Sequence, residues 1–164
     1  MRKLFIFTCL CVFPLLVASC GSAARMNKAD QPWSYEVESV GVGAEGTYVL
    51  RVWSWYRTPD MPVNVAGKNA VHAVIFKGVP AGGGASAQPP LYKGQISASD
   101  SLFFDGFFTA AYQNYVNSVA SGSRQVLKTG NREYKIGYVV SVAKDNLRKY
   151  LETQGVVKAL SEGF

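Results

Sequence analysis

His72 is the only histidine in the 164-residue chain, so any chemistry built on an imidazole must pass through it. A Ser-His-Asp arrangement needs that ring oriented by a carboxylate, and nothing in the sequence nominates either partner. On a helix, His72 falls opposite a stripe of Ala66, Ala70 and Ala73, which predicts a surface or helix-flank position. A metal site needs Asp, Glu and His at ligand spacing. The acids are dispersed instead: Glu36 and Glu38 alternate along an extended stretch, and Asp100 and Asp105 are not an i,i+4 pair. Gly82-Gly83-Gly84 has the composition of a phosphate loop, but no Lys-Ser/Thr follows it and no strand–loop–helix context frames it. The expectation is a non-enzyme with no metal and no cofactor. Aromatic side chains carry the other candidate chemistry. Trp53, Trp55 and Tyr56 lie close on one stretch, and Trp53 and Trp55 share a face. On a strand that pair spans about 7 Å. If exposed, it is a flat platform for a glycan or a partner; if covered, it is core.

Cysteine supplies the most specific signal. Met1-Arg2-Lys3 precedes an almost wholly apolar run from Leu4 to Val17, and Ala18-Ser19-Cys20-Gly21 follows. A positive segment, an apolar segment and small residues at a cleavage site are the parts of an export signal. The run of about 14 residues is shorter than the ~20 that a spanning helix needs, and Pro14 would disturb such a helix. Val17-Ala18-Ser19-Cys20 resembles the lipobox of bacterial lipoproteins. That resemblance implies diacylation of the Cys20 thiol, cleavage before it and acylation of the new amine. Residues 1–19 are then a cleaved signal peptide, and 20–33 a lipidated tether to the bilayer. A thiolate is the nucleophile such a transfer requires, and two or three acyl chains anchor stably where one binds marginally. Gly21 stands where inner-membrane enterobacterial lipoproteins carry aspartate, which implies the outer membrane. Gly21 to Arg25 lack the acidic cluster resembling a surface-export signal of Bacteroidetes lipoproteins, so a periplasm-facing domain is expected over a surface-exposed one. Cys9 and Cys11 lie within the signal, leaving the mature domain no thiol for a disulfide or a metal.

Lys and Arg number 17 against 11 Asp and Glu, a formal charge of +6. Two of those positive charges, Arg2 and Lys3, leave with the signal. The remaining lysines are scattered, and an exported chain has no nucleic-acid partner to meet. A mild positive balance is compatible with anionic lipid or polysaccharide nearby. Roughly 145 mature residues are enough for one domain with one core.

Two stretches have the period-two pattern of strands: Thr47 to Arg57, and Tyr134 to Ala143. Tyr35 to Val42 alternates more loosely, and with Gly43 to Gly46 as a turn it makes a hairpin with the first. Thr58 to Pro62 breaks the strand, and a helix starts at about Val63. Gly78 to Gly94, rich in Gly and Pro, is a long loop. Ser99 or Asp100 caps a second helix, with Phe104, Phe107, Phe108, Ala111, Tyr115 and Val119 as its stripe, ended by Ser121-Gly122-Ser123. Arg124 to Thr129 is a strand, turning at Gly130-Asn131. Asp145 opens a last helix with Gly155 at its C′ position, and Val156 to Phe164 is an apolar tail. The order predicts an α+β fold: two β-hairpins forming a mostly antiparallel four-stranded sheet, with helices packed on one face. Residues 34–164 form this single domain, with the loop at 78–94.

The run Glu133-Tyr134-Lys135-Ile136-Gly137-Tyr138-Val139-Val140-Ser141-Val142, entering a helix after a hairpin and two earlier helices, resembles small periplasmic LPP20-like lipoproteins and the related N-terminal domain of flagellar assembly proteins. Lys68 to Gly78 and Tyr134 to Phe164 also resemble uncharacterised Bacteroidetes lipoproteins. These likenesses imply an envelope setting and no activity. The functional expectation is a non-catalytic lipoprotein that serves as a structural or assembly subunit of a cell-envelope complex, with loop 78–94 and tail 156–164 as contacts to a protein partner. The alternative is a lipoprotein that binds glycan or another ligand through Trp53, Trp55 and Tyr56.

Overall fold

Side chains alternate across a strand, so a strand with bulk on both faces has both faces to account for. The computed structural model describes residues 27–159, Glu45 excepted; the signal segment, Cys20 and residues 160–164 lie outside them. Within that span four strands form one open antiparallel sheet in the order β1-β2-β4-β3: β1 is Tyr35–Val42, β2 Thr47–Tyr56, β3 Val116–Gly130 and β4 Glu133–Ala143. The two hairpins lie side by side because β2 pairs with β4 along its whole length, from Thr47 opposite Ala143 to Tyr56 opposite Tyr134. Three α-helices complete the α+β fold: α1 at Val63–His72, α2 at Ala98–Phe107 and α3 at Lys144–Thr153. No helix among the described residues is long and apolar enough to cross a membrane.

One face of the sheet carries the core. Leu50 and Val52 of β2 and Ile136, Val140 and Val142 of β4 are essentially inaccessible, and they meet Ala66 and Ala70 of α1, Ala73 just beyond its end, and Leu147 and Leu151 of α3. The alanine stripe lets α1 approach closely, as its spacing predicts. The one polar pair in this layer is satisfied: Asn69 Nδ2 of α1 donates to Ser54 Oγ of β2 at 2.8 Å. α3 ends at Gly155 as expected, with Gly155 N donating to Glu152 O and Val156 N to Leu151 O, the paired bonds of a Schellman closure.

The middle of the chain departs from the sequence reading. The second helix is capped by Ser97, not Ser99 or Asp100, and Ser97 and Asp100 bond each other's backbone in a capping box. It stops at Phe107, a short 3-10 turn covers Ala111–Tyr115, and Val116 already belongs to β3. The stripe through Ala111, Tyr115 and Val119 therefore does not continue the α-helix: the first two lie in the 3-10 turn and Val119 in the strand. Val116 pairs with Val142 and Val119 with Val140, so burial against β4 outweighs a weak local helix preference. The turn after β3 also sits one residue later, at Asn131-Arg132, between paired Gly130 and Glu133.

Between Ala120 and Gln125, β3 carries extra residues against Val139 to Gly137 of β4. This bulge takes a ladder partner from Val139, and Ser123 replaces it: Val139 N donates to Ser123 Oγ at 2.7 Å, and that hydroxyl donates to Ala120 O at 2.5 Å. Ser123→Ala leaves a half-buried amide without its acceptor and is expected to cost about 1 kcal/mol. Urea denaturation checks this, and an unchanged midpoint would show the bulge does not depend on the bond.

Loop 78–94 is not a free arm. Val79 and Leu91 are buried, Val79 bridges Gln88, and Leu91 and Tyr92 donate to the carbonyls of Val74 and Ile75. Its tip lies against the outer side of β1: a Cβ placed on Gly83 would stand 2.3 Å from the Val40 carbonyl carbon. A docked loop is one way to blunt a sheet edge. Among the described residues the outer side of β3 has no such cover.

Candidate functional site

Two places in the molecule collect chemistry-bearing side chains, one on each side of the sheet. The first holds the tryptophans singled out by the sequence. Trp53 and Trp55 lie on the face of β2 away from the helices, and Tyr56 lies on the other, half-buried against the core. The three are therefore not one platform. Trp53 is only 8% exposed although no α-helix among the described residues covers it. Its ring lies flat over Gly137, where a Cβ would come within 2.7 Å of it. The ring Nε1 donates to Glu38 Oε1 at 3.1 Å, and Arg51 and Lys135 stand over the ring. Trp55 is half-buried between Lys28, 4.2 Å from its ring centroid, and Lys135, 5.0 Å away. Lys135 also pairs with Glu36 at 2.6 Å. Cation–π contacts and ion pairs of this kind knit neighbouring strands together. They occupy the strip that an exposed platform would have offered.

The second place centres on His72. It sits at the flank of α1, but half-buried rather than on the surface. The helix continues past it as one π-type turn, Ala73–Lys77, in which Gly78 N donates to Ala73 O. Such turns are rare and concentrate at functional sites. Phe76 thereby packs on His72 with ring centroids 4.7 Å apart, and Phe108 approaches to 5.5 Å. Trp33 stacks flat on the imidazole, with centroids 3.8 Å apart and planes 19° from parallel. Trp33 adopts φ 54°, a left-handed backbone that a bulky side chain tolerates only under tertiary constraint. Residues 27–33, read from sequence as the end of the tether, thus belong to the domain. Asp30 pairs with Arg57, and Lys28 N donates to Glu133.

Tyr35, at the start of β1, completes the cluster. Burial holds its phenol well above the ordinary tyrosine range, so it stays protonated, and its hydroxyl shares a hydrogen bond of 2.5 Å with His72 Nδ1. Burial first, and the Lys77 and Lys68 ammonium groups next, push His72 down to about 3. Proton transfer works best with a group whose pKa lies near the working pH. His72 instead stays neutral, one ring of an aromatic wall.

The wall borders an open cleft of about 500 Å³, with Lys68, Ser101, Asp105 and Thr109 at its rim. No sequence pattern links these residues, since the cluster joins the chain before β1, the end of α1 and the end of α2. The one local sign was Trp33 itself, a large aromatic at the end of a polar segment. Compared with known protein families, with curated proteins and with solved structures, this chain matches none.

Proposed function

We propose that this protein is a non-catalytic, membrane-anchored lipoprotein acting as a structural or assembly subunit of a cell-envelope complex. In this reading Cys20 carries the lipid, and the domain faces the periplasm from the outer membrane. The observation that carries it is the outer edge of β3. Beyond the bulge, Gln125 to Lys128 run as regular strand before a second register shift at Gly130, and among the described residues they pair on one side only, to β4. Val126 and Leu127 are exposed there, Leu127 to 52%. An uncovered strand edge flanked by apolar side chains accepts an extended segment of another chain by main-chain hydrogen bonding. Loop 78–94 is docked on β1, Val156 and Val157 pack on the core, and residues 160–164 of the tail lie outside the described residues, so the described surface that supports a partner contact is β3.

The test is a crosslinked pull-down of tagged, full-length protein from detergent-solubilised membranes. A stoichiometric envelope partner, retained by Trp55→Ala and lost in Leu127→Asp, is the expected result. Cys20→Ala should abolish palmitate labelling and membrane association. Recovery of the lipoprotein alone from every crosslinked sample would overturn the reading.

A further inference from the structure

The cleft beside His72 lies on the helix side of the molecule, and nothing in the subunit reading uses it. We infer that this cleft, walled by Trp33 and His72 and rimmed by Lys68, Asp105, Ser101 and Thr109, is a binding site for a neutral saccharide. Three observations converge on that class. The cleft measures about 500 Å³, within the range of small-ligand sites and suited to one or two sugar rings.

Its wall is aromatic and presented at a conformational cost. Trp33 holds an unfavourable backbone, stacks one side on His72 and still remains 37% exposed. Strain of this kind persists where the surrounding structure fixes a side chain in place. A rigid aromatic wall stacks well against the C–H face of a pyranose while the rim meets its hydroxyls.

The rim then selects the charge of the ligand. Lys68 and Asp105 form no ion pair among the described residues, and they bring one charge of each sign. An anion would face the Asp105 carboxylate, and a cation would face Lys68. A wholly apolar ligand would take water from both charges and from the Ser101 hydroxyl without replacing their hydrogen bonds; the Thr109 hydroxyl already donates to Asp105 O at 2.9 Å and has only its acceptor capacity to offer. A polyol satisfies all of them, because each hydroxyl both donates and accepts.

Calorimetric titration of full-length protein in detergent with maltotriose, cellotriose and N-acetylchitotriose tests the inference. It needs no protein partner, so its outcome is independent of the subunit reading. Saturable binding of at least one probe is expected. Trp33→Ala and the exposed-rim variant Asp105→Asn should each weaken it about tenfold, and Trp55→Ala should leave it unchanged. Asp105→Asn keeps the test valid if Trp33→Ala fails to fold. The inference is overturned if none of the three probes binds at about 10 mM. It is equally overturned if binding survives both cleft variants, or is lost with Trp55→Ala.

Discussion

Acidification will destabilise this fold over the window in which His72 should be charged and is not, and His72→Gln will remove most of that loss. The folded pKa is pushed from 6.5 to about 3. Above 6.5 the ring is neutral in both states, and stability is at its full value. Between those two pH values the unfolded chain binds a proton that the folded ring refuses, so stability falls as pH falls. Complete exclusion of solvent would give a slope of about 1.4 kcal/mol per pH unit. The ring is only half-buried and is screened by water, which brings the expected total to roughly 2 kcal/mol. Glutamine keeps an acceptor for the Tyr35 hydroxyl and does not titrate. Urea unfolding above about pH 5, clear of most carboxylate titration, should show a sloping midpoint for the native protein and a flat one for His72→Gln. Parallel slopes would mean that His72 is more accessible than its packing indicates.

Gly83→Ala is expected to cost about 2 kcal/mol and to make the protein associate. Two effects add at this position. The residue has φ 56°, and its Cβ would strike the Val40 backbone, which cannot yield without separating the loop from β1. Gly84 is the control. It also has a positive φ, of 82°, but a Cβ there meets nothing within 4 Å. Gly84→Ala should therefore show only the conformational cost, about 1 kcal/mol. If the loop shields the outer side of β1, sedimentation velocity will show concentration-dependent association in Gly83→Ala beyond that of the native chain, and none added in Gly84→Ala. Equal behaviour of the two variants would remove the shielding role. It would also weaken the case that β3 is the distinctive open edge.

The segment from Tyr115 to Ser123 shows where local pattern misleads. Phe104, Phe107 and Phe108 continue into Ala111, Tyr115 and Val119 at helical spacing, and nothing nearby contradicts a helix. The decisive partners are Val140 and Val142, more than twenty residues later. Val116 and Val119 are β-branched, and their burial against β4 is available only in an extended chain. The loop at 78–94 is a similar case. Its glycines were legible as irregular backbone, but the reason for them is how closely Gly82 and Gly83 approach β1, which is visible only once both are in place. Trp53 was legible as a residue on the second face of β2. That a residue on a helix-free face is nevertheless covered depends on Gly137 and Lys135 of the neighbouring strand.

The sequence by itself determined what depends on short-range geometry. Period-two alternation marked β2 and β4, because a pleated backbone sends successive side chains to opposite faces. The alanine stripe marked the buried side of α1, and Gly155 marked the end of α3. Together these were enough for the α+β class and its one-sided helices. Tertiary structure alone decided the register of β3, the covered edge at β1 and the cluster at His72. Tyr35 and His72 are 37 positions apart, and Trp33 comes from a segment with no regular pattern of its own. Which side chains meet across such separations is set by how the helices settle on the sheet, and burial and the two nearby lysines then set the protonation of the imidazole.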